Sequence, residues 1–340
     1  MKAVFQDHYS IKRQELNKII PLDMPFTLSV EPTTFCNLKC NFCLHTLTRE
    51  EMIKAGHVFS SMGPDVFQSL VEQLKKFPRP LKILSFIGEG EPLLHKDLPY
   101  MIEQLSRKRL ADNIQILTNG VPLTRELSSA LINAGISIIK VSINGLSADD
   151  YLKNCAVKID FDKLVSELHY LYEIKGNVQI YIKTVDAVLK DRPKEEFFKI
   201  FGDCCDKISV ERVLPCIPGV SYEGIATPNV TSRYFSVTEK VKICASAFYR
   251  MSVKYDGTVK VCGCRSGIVV DKDINNFYKA WNGAVHKEIM LKVLKEEYEG
   301  ITEYCKVCFN KNGFAFKEDN LDPYAQEIYE RIKNLNAIGD

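Results

Sequence analysis

Three cysteines, Cys36, Cys40 and Cys43, fall within eight residues of the stretch EPTTFCNLKCNFCLHT. Three and then two residues separate them, and Phe42 stands directly before the last, so their thiolates can converge on one soft metal centre. Three thiolates can hold zinc, but structural zinc takes four ligands, and His45, two residues past Cys43, is not at a conventional fourth spacing. A cubane of four irons and four sulfides is the other soft-thiolate choice, and three cysteines leave one of its irons open. A second set, Cys244, Cys262, Cys305 and Cys308, has seventeen, forty-two and two residues between its members. Four thiols make a closed site, either a zinc ribbon or a cluster.

The remaining cysteines carry less. Cys155, Cys204 and Cys205 lie in or beside helical patterns and read as buried thiols. Cys216 follows the sixth expected strand, where it is either a hydrogen-atom donor or a loop or core residue. Cys264 lies two residues after Cys262 on a strand, its side chain on the same face, so it competes with Cys262 as a ligand.

The compartment decides how such clusters are read. The opening MKAVFQDHYSIKRQELNKII has charges throughout and lacks the apolar core of a signal peptide, and no window reaches eighteen uninterrupted apolar residues. The chain therefore reads as cytoplasmic, where thiols stay reduced and clustered cysteines point to metal or redox chemistry. Hydrophobic content of 46%, charged content of 26% and a net charge of +2 are those of an ordinary globular protein. They give no general drive toward nucleic acid or membrane, which leaves a small molecule or a specific protein as partner.

The elements that must position the cysteines follow from apolar periodicity. Strands are expected at 27–32, 81–88, 113–120, 137–145, 178–185 and 207–214, separated by amphipathic helices. In one helix Phe67, Leu70, Val71 and Leu74 share a face; in another Leu164, Val165, Leu168 and Leu171 do, and Pro64 stands at a helix start. Six such units with right-handed crossovers predict an α/β fold, an open partial (β/α)6 TIM-like barrel, with its chemistry at the carboxyl ends of the strands. EPTTFC, FIGEGEP, LTNG and VSING all fall there. Residues 215–236 read as a connecting loop; Asp256-Gly257 signals a hairpin, a helix follows in GAVHKEIMLKVLKEEY, and a terminal packing helix is expected at about 323–336.

The strand ends supply polar groups. In Gly88-Glu89-Gly90-Glu91-Pro92 a glycine allows close backbone approach to a ligand and a carboxylate can accept from a ligand ammonium, although the stretch alone is also an ordinary turn. Thr118, Asn119, Ser142 and Asn144 close the third and fourth strands, where Asn-Gly pairs also suit left-handed turns. Lys183 is an anion partner or a solvated charge, and Glu211, Arg212 and Arg265 are acid, base or anion-binding groups or structural charges.

Cys36, Cys40 and Cys43, with an aromatic residue before the third, resemble the signature of the radical S-adenosylmethionine (radical SAM) superfamily. The resemblance covers residues 28–214. It implies a 4Fe-4S cluster on those three cysteines, with S-adenosylmethionine chelated at the open iron. GEGEP resembles that family's GGE element with Glu89 in place of the first glycine, which implies that Gly90 and Glu91 meet the amino end of the cofactor. By the same resemblance Phe42, Asn119, Ser142, Asn144 and Lys183 are cofactor-binding candidates. The run from Cys244 through YDGTVKVC to YCKVC resembles the twitch domain, the shortened SPASM domain, with spacing closest to dehydrogenases of the 2-deoxy-scyllo-inosamine type. It implies one auxiliary 4Fe-4S cluster on Cys244, Cys262, Cys305 and Cys308, with Cys262 preferred over Cys264 by its distance from Cys244. The domains implied are an extension at 1–27, the barrel at 28–214, a linker at 215–243, the twitch-like domain at 244–315 and a terminal helix at 316–340.

The expected activity is reductive cleavage of S-adenosylmethionine and hydrogen-atom abstraction, most simply to oxidise a sugar or cyclitol alcohol with the auxiliary cluster as electron acceptor and a flavodoxin or ferredoxin as donor. Epimerisation with Cys216 or Cys264 as hydrogen donor is a second reading. Maturation of a peptide or protein is a third; the extension at 1–27 is too short for a peptide-recognition winged helix, although such a module can be a separate protein. A metal-binding scaffold without catalysis is a fourth.

Overall fold

The computed structural model describes residues 3–5, 13–215, 217, 219–226, 233, 241–263, 267–302, 305, 308, 311 and 316–334. Its centre is a run of parallel strands: β1 (Val4–Phe5), β2 (Thr27–Val30), β3 (Ile83–Phe86), β4 (Ile114–Thr118), β5 (Ile138–Ser142), β6 (Gln179–Val185) and β7 (Lys207–Glu211). The six expected strands are β2 to β7, and each pairs in parallel with its successor. The architecture is an α/β partial barrel.

Helices cover the outer face. α1 (Arg49–Lys54) and α2 (Pro64–Leu74) follow β2, α3 (Leu98–Arg107) follows β3, and α4 (Arg125–Asn133) follows β4. Next come α5 (Ala148–Cys155) and α6 (Phe161–Ile174) after β5, then α7 (Asp186–Leu189) and α8 (Lys194–Phe201) after β6. Local chemistry starts several of them: Thr48 and Glu51 form a reciprocal capping box on α1, Pro64 opens α2, and Ser147 and Asp160 accept from backbone N–H groups at the starts of α5 and α6. The apolar stripe of α2 is buried as its spacing predicts, and Leu164, Leu168 and Leu171 do the same for α6.

Strand alternation divides the sheet into two unlike faces. Leu28, Val30, Leu84, Phe86, Ile139, Val141, Ile180 and Ile182 face the helices and form the core. The residues between them turn into the barrel, and there Ser29, Ser85, Ser209 and Ser252 are buried. The barrel interior is thus lined with polar side chains.

The sheet does not stop at six strands. β1 adds in parallel beside β7, and β8 (Arg250–Val253) pairs in parallel with β2, Thr27 opposite Arg250. β8 then turns through Asp256-Gly257 into β9 (Val259–Val261), with Gly257 at φ +85°, and β10 (Ile268–Asp271) pairs with β9. The expected hairpin is present, and it continues the barrel sheet because β8 occupies the hydrogen-bonding edge that β2 would otherwise leave bare. α9 (Phe277–Asn282), α10 (Ala284–Leu294) and α11 (Ala325–Lys333) complete the chain. α10 and α11 share a second core with the hairpin, containing Val261, Ile289, Val293, Ile328 and Ile332. Among the described residues no helix is long and apolar enough to cross a membrane.

Candidate functional site

The three-cysteine loop leaves β2 at its carboxyl end and is tied down on three sides. Thr34 Oγ1 donates to Val58 O at 2.6 Å and accepts from Ser60 N at 2.8 Å, which fixes the approach to Cys36. Cys43 N donates to Cys40 O at 2.9 Å, closing the turn that brings the second and third thiols together. Lys39 N and Asn41 N donate to the carbonyls of Cys155 and Asn154 at 3.0 and 2.8 Å, so the loop rests on the last turn of α5.

The donor set suits a soft metal centre. Burial pushes the Cys36 thiol up to about 12, with Cys43 and Glu91 adding to the shift. The adjacent Cys155 thiol and burial hold Cys40 well above the ordinary thiol range. A bare thiolate is unfavourable in so dry a loop, whereas a metal that bonds the thiolate directly supplies the missing positive charge. In a cubane each thiolate binds a separate iron, so three cysteines would hold three of its four irons.

GEGEP packs against this loop. A Cβ on Gly90 would lie 2.4 Å from Phe35 O and 2.5 Å from Thr33 O, so only glycine fits there, and Glu91 N donates to Phe35 O at 2.8 Å. The Glu91 side chain turns inward. Its carboxylate accepts from Thr118 Oγ1 at 2.6 Å, Asn119 N at 2.7 Å and Leu93 N at 3.0 Å, while burial still pushes its carboxyl upward. Glu91 therefore joins the exits of β3 and β4, with three of about four acceptor positions committed within the protein. Asn119 Nδ2 donates to Asn37 Oδ1 at 2.8 Å, carrying the same link back into the cysteine loop.

Sequence patterns gave no sign of the polar pair behind this motif. His57 Nδ1 meets Glu89 Oε2 at 2.6 Å with both side chains buried, and His45 Nε2 meets Glu89 O at 2.9 Å. Glu31 Oε1 accepts from Glu89 N at 2.8 Å. Glu89 thus stands where the family element has glycine and is anchored from two directions.

Phe42, Ser142, Asn144 and Lys183 line one cleft at the carboxyl ends of β5 to β7, together with Glu211 and Arg212, with about 590 Å³ of empty space counted out to its mouth. Four of the cofactor candidates are therefore brought together. Asn144 is held by α5: its N–H donates to Tyr151 Oη at 3.3 Å and its carbonyl accepts from Asn154 Nδ2 at 3.0 Å. Lys183 Nζ donates to Glu211 Oε2 at 2.6 Å, and Arg233 lies 3.4 Å from the same oxygen. Burial pushes Glu211 up, but the charges of Lys183 and Arg233 outweigh it and keep the carboxyl below its ordinary range. Lys140, two residues before Ser142 on β5, is missed by sequence reasoning; burial and the nearby Lys183 charge push its ammonium down to about 7. Gly120 is left-handed at φ +76° as an Asn-Gly turn predicts, whereas Gly145 is required by close packing, since a Cβ there would lie 2.8 Å from the Tyr151 ring.

Cys244, Cys262, Cys305 and Cys308 line a second cavity, with about 550 Å³ of empty space counted to its mouth, walled also by Tyr298 and Val293. Burial pushes the Cys244 thiol up to about 12, and Cys262, Cys308 and Cys305 all add to the shift. Tyr298 Oη accepts from Cys244 N at 3.0 Å and donates to Lys242 O at 2.6 Å; Thr302 Oγ1 donates to Cys305 Sγ at 3.3 Å. Four half-buried thiols lining one cavity are a donor set of the soft-metal type. Cys204 and Cys205 are buried core thiols. Cys216, Cys264 and Arg265 lie outside the described residues.

A family model described as the radical SAM superfamily matches residues 30–223. The tungsten-containing aldehyde ferredoxin oxidoreductase cofactor-modifying protein of Pyrococcus furiosus is 30% identical over 219 residues, 61% of this chain and 58% of that protein. The GTP 3',8-cyclase of Aquifex aeolicus is 28% identical over 191 residues, 52% of this chain and 53% of that one. The chain thus spans less than two thirds of these relatives. Among solved structures, BtrN in complex with AdoMet and 2-DOIA superposes with a TM-score of 0.52 at 18% identity, covering 84% of this chain and 94% of that one. Streptococcus suis SuiB bound to precursor peptide SuiA gives 0.55 at 14% identity, covering 77% and 66%. AnSMEcpe with bound AdoMet and Cp18Cys peptide gives 0.55 at 16% identity, covering 91% and 96%. These likenesses are of fold.

Proposed function

The chain belongs to the radical SAM superfamily, a family of enzymes using a 4Fe-4S cluster and S-adenosylmethionine, and from that premise we propose that it dehydrogenates a sugar or cyclitol alcohol with an auxiliary cluster as electron acceptor. Cys36, Cys40 and Cys43 would hold the first cluster, and when bound with S-adenosylmethionine it supplies a hydrogen-abstracting 5′-deoxyadenosyl group. Phe42, Ser142, Asn144 and Lys183 border the cleft beside it, and they would contact the cofactor.

Oxidising a secondary alcohol to a ketone removes two electrons and two protons. One of each leaves as the hydrogen atom; the second electron needs an acceptor and the second proton a base. The single observation that carries this reading is the meeting of Cys244, Cys262, Cys305 and Cys308 on one cavity, which would offer the acceptor a four-thiolate seat. The proton has Glu211, held by Lys183, at the cleft wall and Lys140 below it.

The reading is tested by anaerobic reconstitution, iron and sulfide counting, and product analysis with sugars and cyclitols. About eight irons per chain and one oxidised product per 5′-deoxyadenosine are expected. In Cys305→Ala/Cys308→Ala the iron content should fall by about half, with S-adenosylmethionine cleavage kept and oxidised product lost. Four irons in the native protein would remove the electron-acceptor argument. A peptide substrate is the second reading, favoured by the SuiA and Cp18Cys peptides bound to two proteins of this fold, and it is separated by presenting peptides in the same assay.

A further inference from the structure

Cys155 has no part in either cysteine set, yet its Sγ lies 3.4 Å from Cys40 Sγ. Cys155 is fully buried and Cys40 nearly so, with 9% of its surface exposed. The contact is held by backbone. An α-helix ends with carbonyls that its own turns cannot satisfy. At the end of α5, the carbonyls of Asn154 and Cys155 accept from Asn41 N and Lys39 N, the two amides that flank Cys40. The chain then leaves the helix through Ala156 in the left-handed region at φ +52°, which carries it away from the cysteine loop. The same turn reaches the cofactor cleft, because Asn154 Nδ2 donates to Asn144 O and Tyr151 Oη accepts from Asn144 N.

A buried thiol placed this way has a specific relation to a cluster. A cluster-bound cysteine is a thiolate, rich in electrons and able to accept, and Cys155 offers an S–H donor within reach of it. Hydrogen bonds to the sulfurs of an iron-sulfur cluster are among the factors that set its potential, since they favour the more negatively charged reduced state. We propose that Cys155 is a positioning residue for the radical SAM cluster, its S–H donating to the Cys40 thiolate and raising the cluster potential while the end of α5 fixes the loop. Through Asn154 and Tyr151, one helix turn then sets both the electron source and the Asn144 edge of the cleft.

The test uses the full chain, reconstituted anaerobically, with iron and sulfide measured in each protein. Redox titrations followed by electron paramagnetic resonance are run on wild type, Cys155→Ala and Cys155→Ser, using the signal that changes when S-adenosylmethionine is added. The midpoint should move to more negative potential in Cys155→Ala and return toward wild type in Cys155→Ser, whose hydroxyl still donates. Pulsed measurements in deuterated water should show an exchangeable proton coupled to the cluster in wild type and Cys155→Ser that is lost in Cys155→Ala. An unchanged midpoint in Cys155→Ala at equal iron content overturns the proposal. So does a Cys155→Ser shift as large as that of Cys155→Ala. If Cys155→Ala fails to take up iron, the wild-type and Cys155→Ser proton couplings decide, and their absence is equally fatal.

Discussion

The Glu91 carboxylate accepts the backbone N–H of Asn119 at 2.7 Å, and this bond joins the exit of β3 to the exit of β4 directly above the cysteine loop. The same carboxylate takes Thr118 Oγ1, and Asn119 in turn donates to Asn37 between Cys36 and Cys40. Hydrogen bonds to a charged group contribute about 1.5–3 kcal/mol, and losing this acceptor would leave buried donors unmatched. Glu91→Ala should therefore destabilise the chain by about 3 kcal/mol and reduce S-adenosylmethionine cleavage at least about tenfold. Glu91→Gln, which keeps one acceptor oxygen, should fall between. Denaturant titration and 5′-deoxyadenosine yield measure the two effects; wild-type yield from Glu91→Ala would contradict the assignment.

Gly90 makes a sharper demand, because its neighbours are backbone and cannot swing aside. A methyl group there would stand 2.4 Å from Phe35 O, one residue before Cys36. Gly90→Ala should displace the loop and lower the iron retained at Cys36, Cys40 and Cys43 by more than half, with the helical circular dichroism signal unchanged. Gly63→Ala, where an added Cβ meets nothing within 4 Å, is the control and should cost no more than about 1 kcal/mol.

What was readable in the chain and what was not divide along physical lines. The strands at β2 to β7 announce themselves because β-branched runs alternate with 3.6-period helices, and both depend on neighbours close in sequence. Cys36, Cys40 and Cys43 draw notice because they stand close in sequence, whereas Cys244 and Cys305 share a cavity only after folding has brought distant segments together. The edges of the sheet are not legible. β1 has two residues and no period to detect, and β8 finds β2 only by closing a connection of more than two hundred residues. Side-chain commitment is equally hidden. Glu91 reads as a ligand group, but nothing local shows that Thr118 and Asn119 will occupy it, and Cys40 and Cys155 meet across 115 positions. His57 is an isolated histidine until folding places it against Glu89.

Lys183 and Glu211 supply the next prediction. Both are largely buried, with 12% and 5% of their side chains exposed, and their charged atoms are 2.6 Å apart. Removing one partner of such a pair strands the other charge and typically costs about 3–5 kcal/mol, whereas replacing both is much less harmful. Lys183→Met should lie at the low end of that range, since Arg233 remains beside Glu211. Lys183→Met/Glu211→Leu should recover most of the loss in stability and none of the activity. A double-mutant cycle from urea denaturation checks this, and additive single effects would show that the pair is not coupled.

Glu31 provides a pH signature unconnected with any thiol. Its side chain is buried against Gly88; Oε1 accepts from Glu89 N, and Oε2 has no hydrogen-bond partner among the described residues. Burial pushes the carboxyl up to about 7 from an ordinary value of 4.5, with the Glu89 charge adding to the shift and Lys254 and Lys260 opposing it. Below pH 4.5 the folded and unfolded chains both hold this proton; between 4.5 and 7 only the folded chain does. Stability therefore declines as pH rises through that window, by up to about 3 kcal/mol, and is flat with respect to this group above it. Glu31→Gln should abolish that part of the slope and leave the protein more stable than wild type at pH 8. The measurement is the difference in urea midpoints between the two proteins from pH 5 to 8, in which slopes from all other groups cancel. A difference that stays constant across the range would show that Glu31 is ionised throughout and that Lys254 and Lys260 prevail over burial.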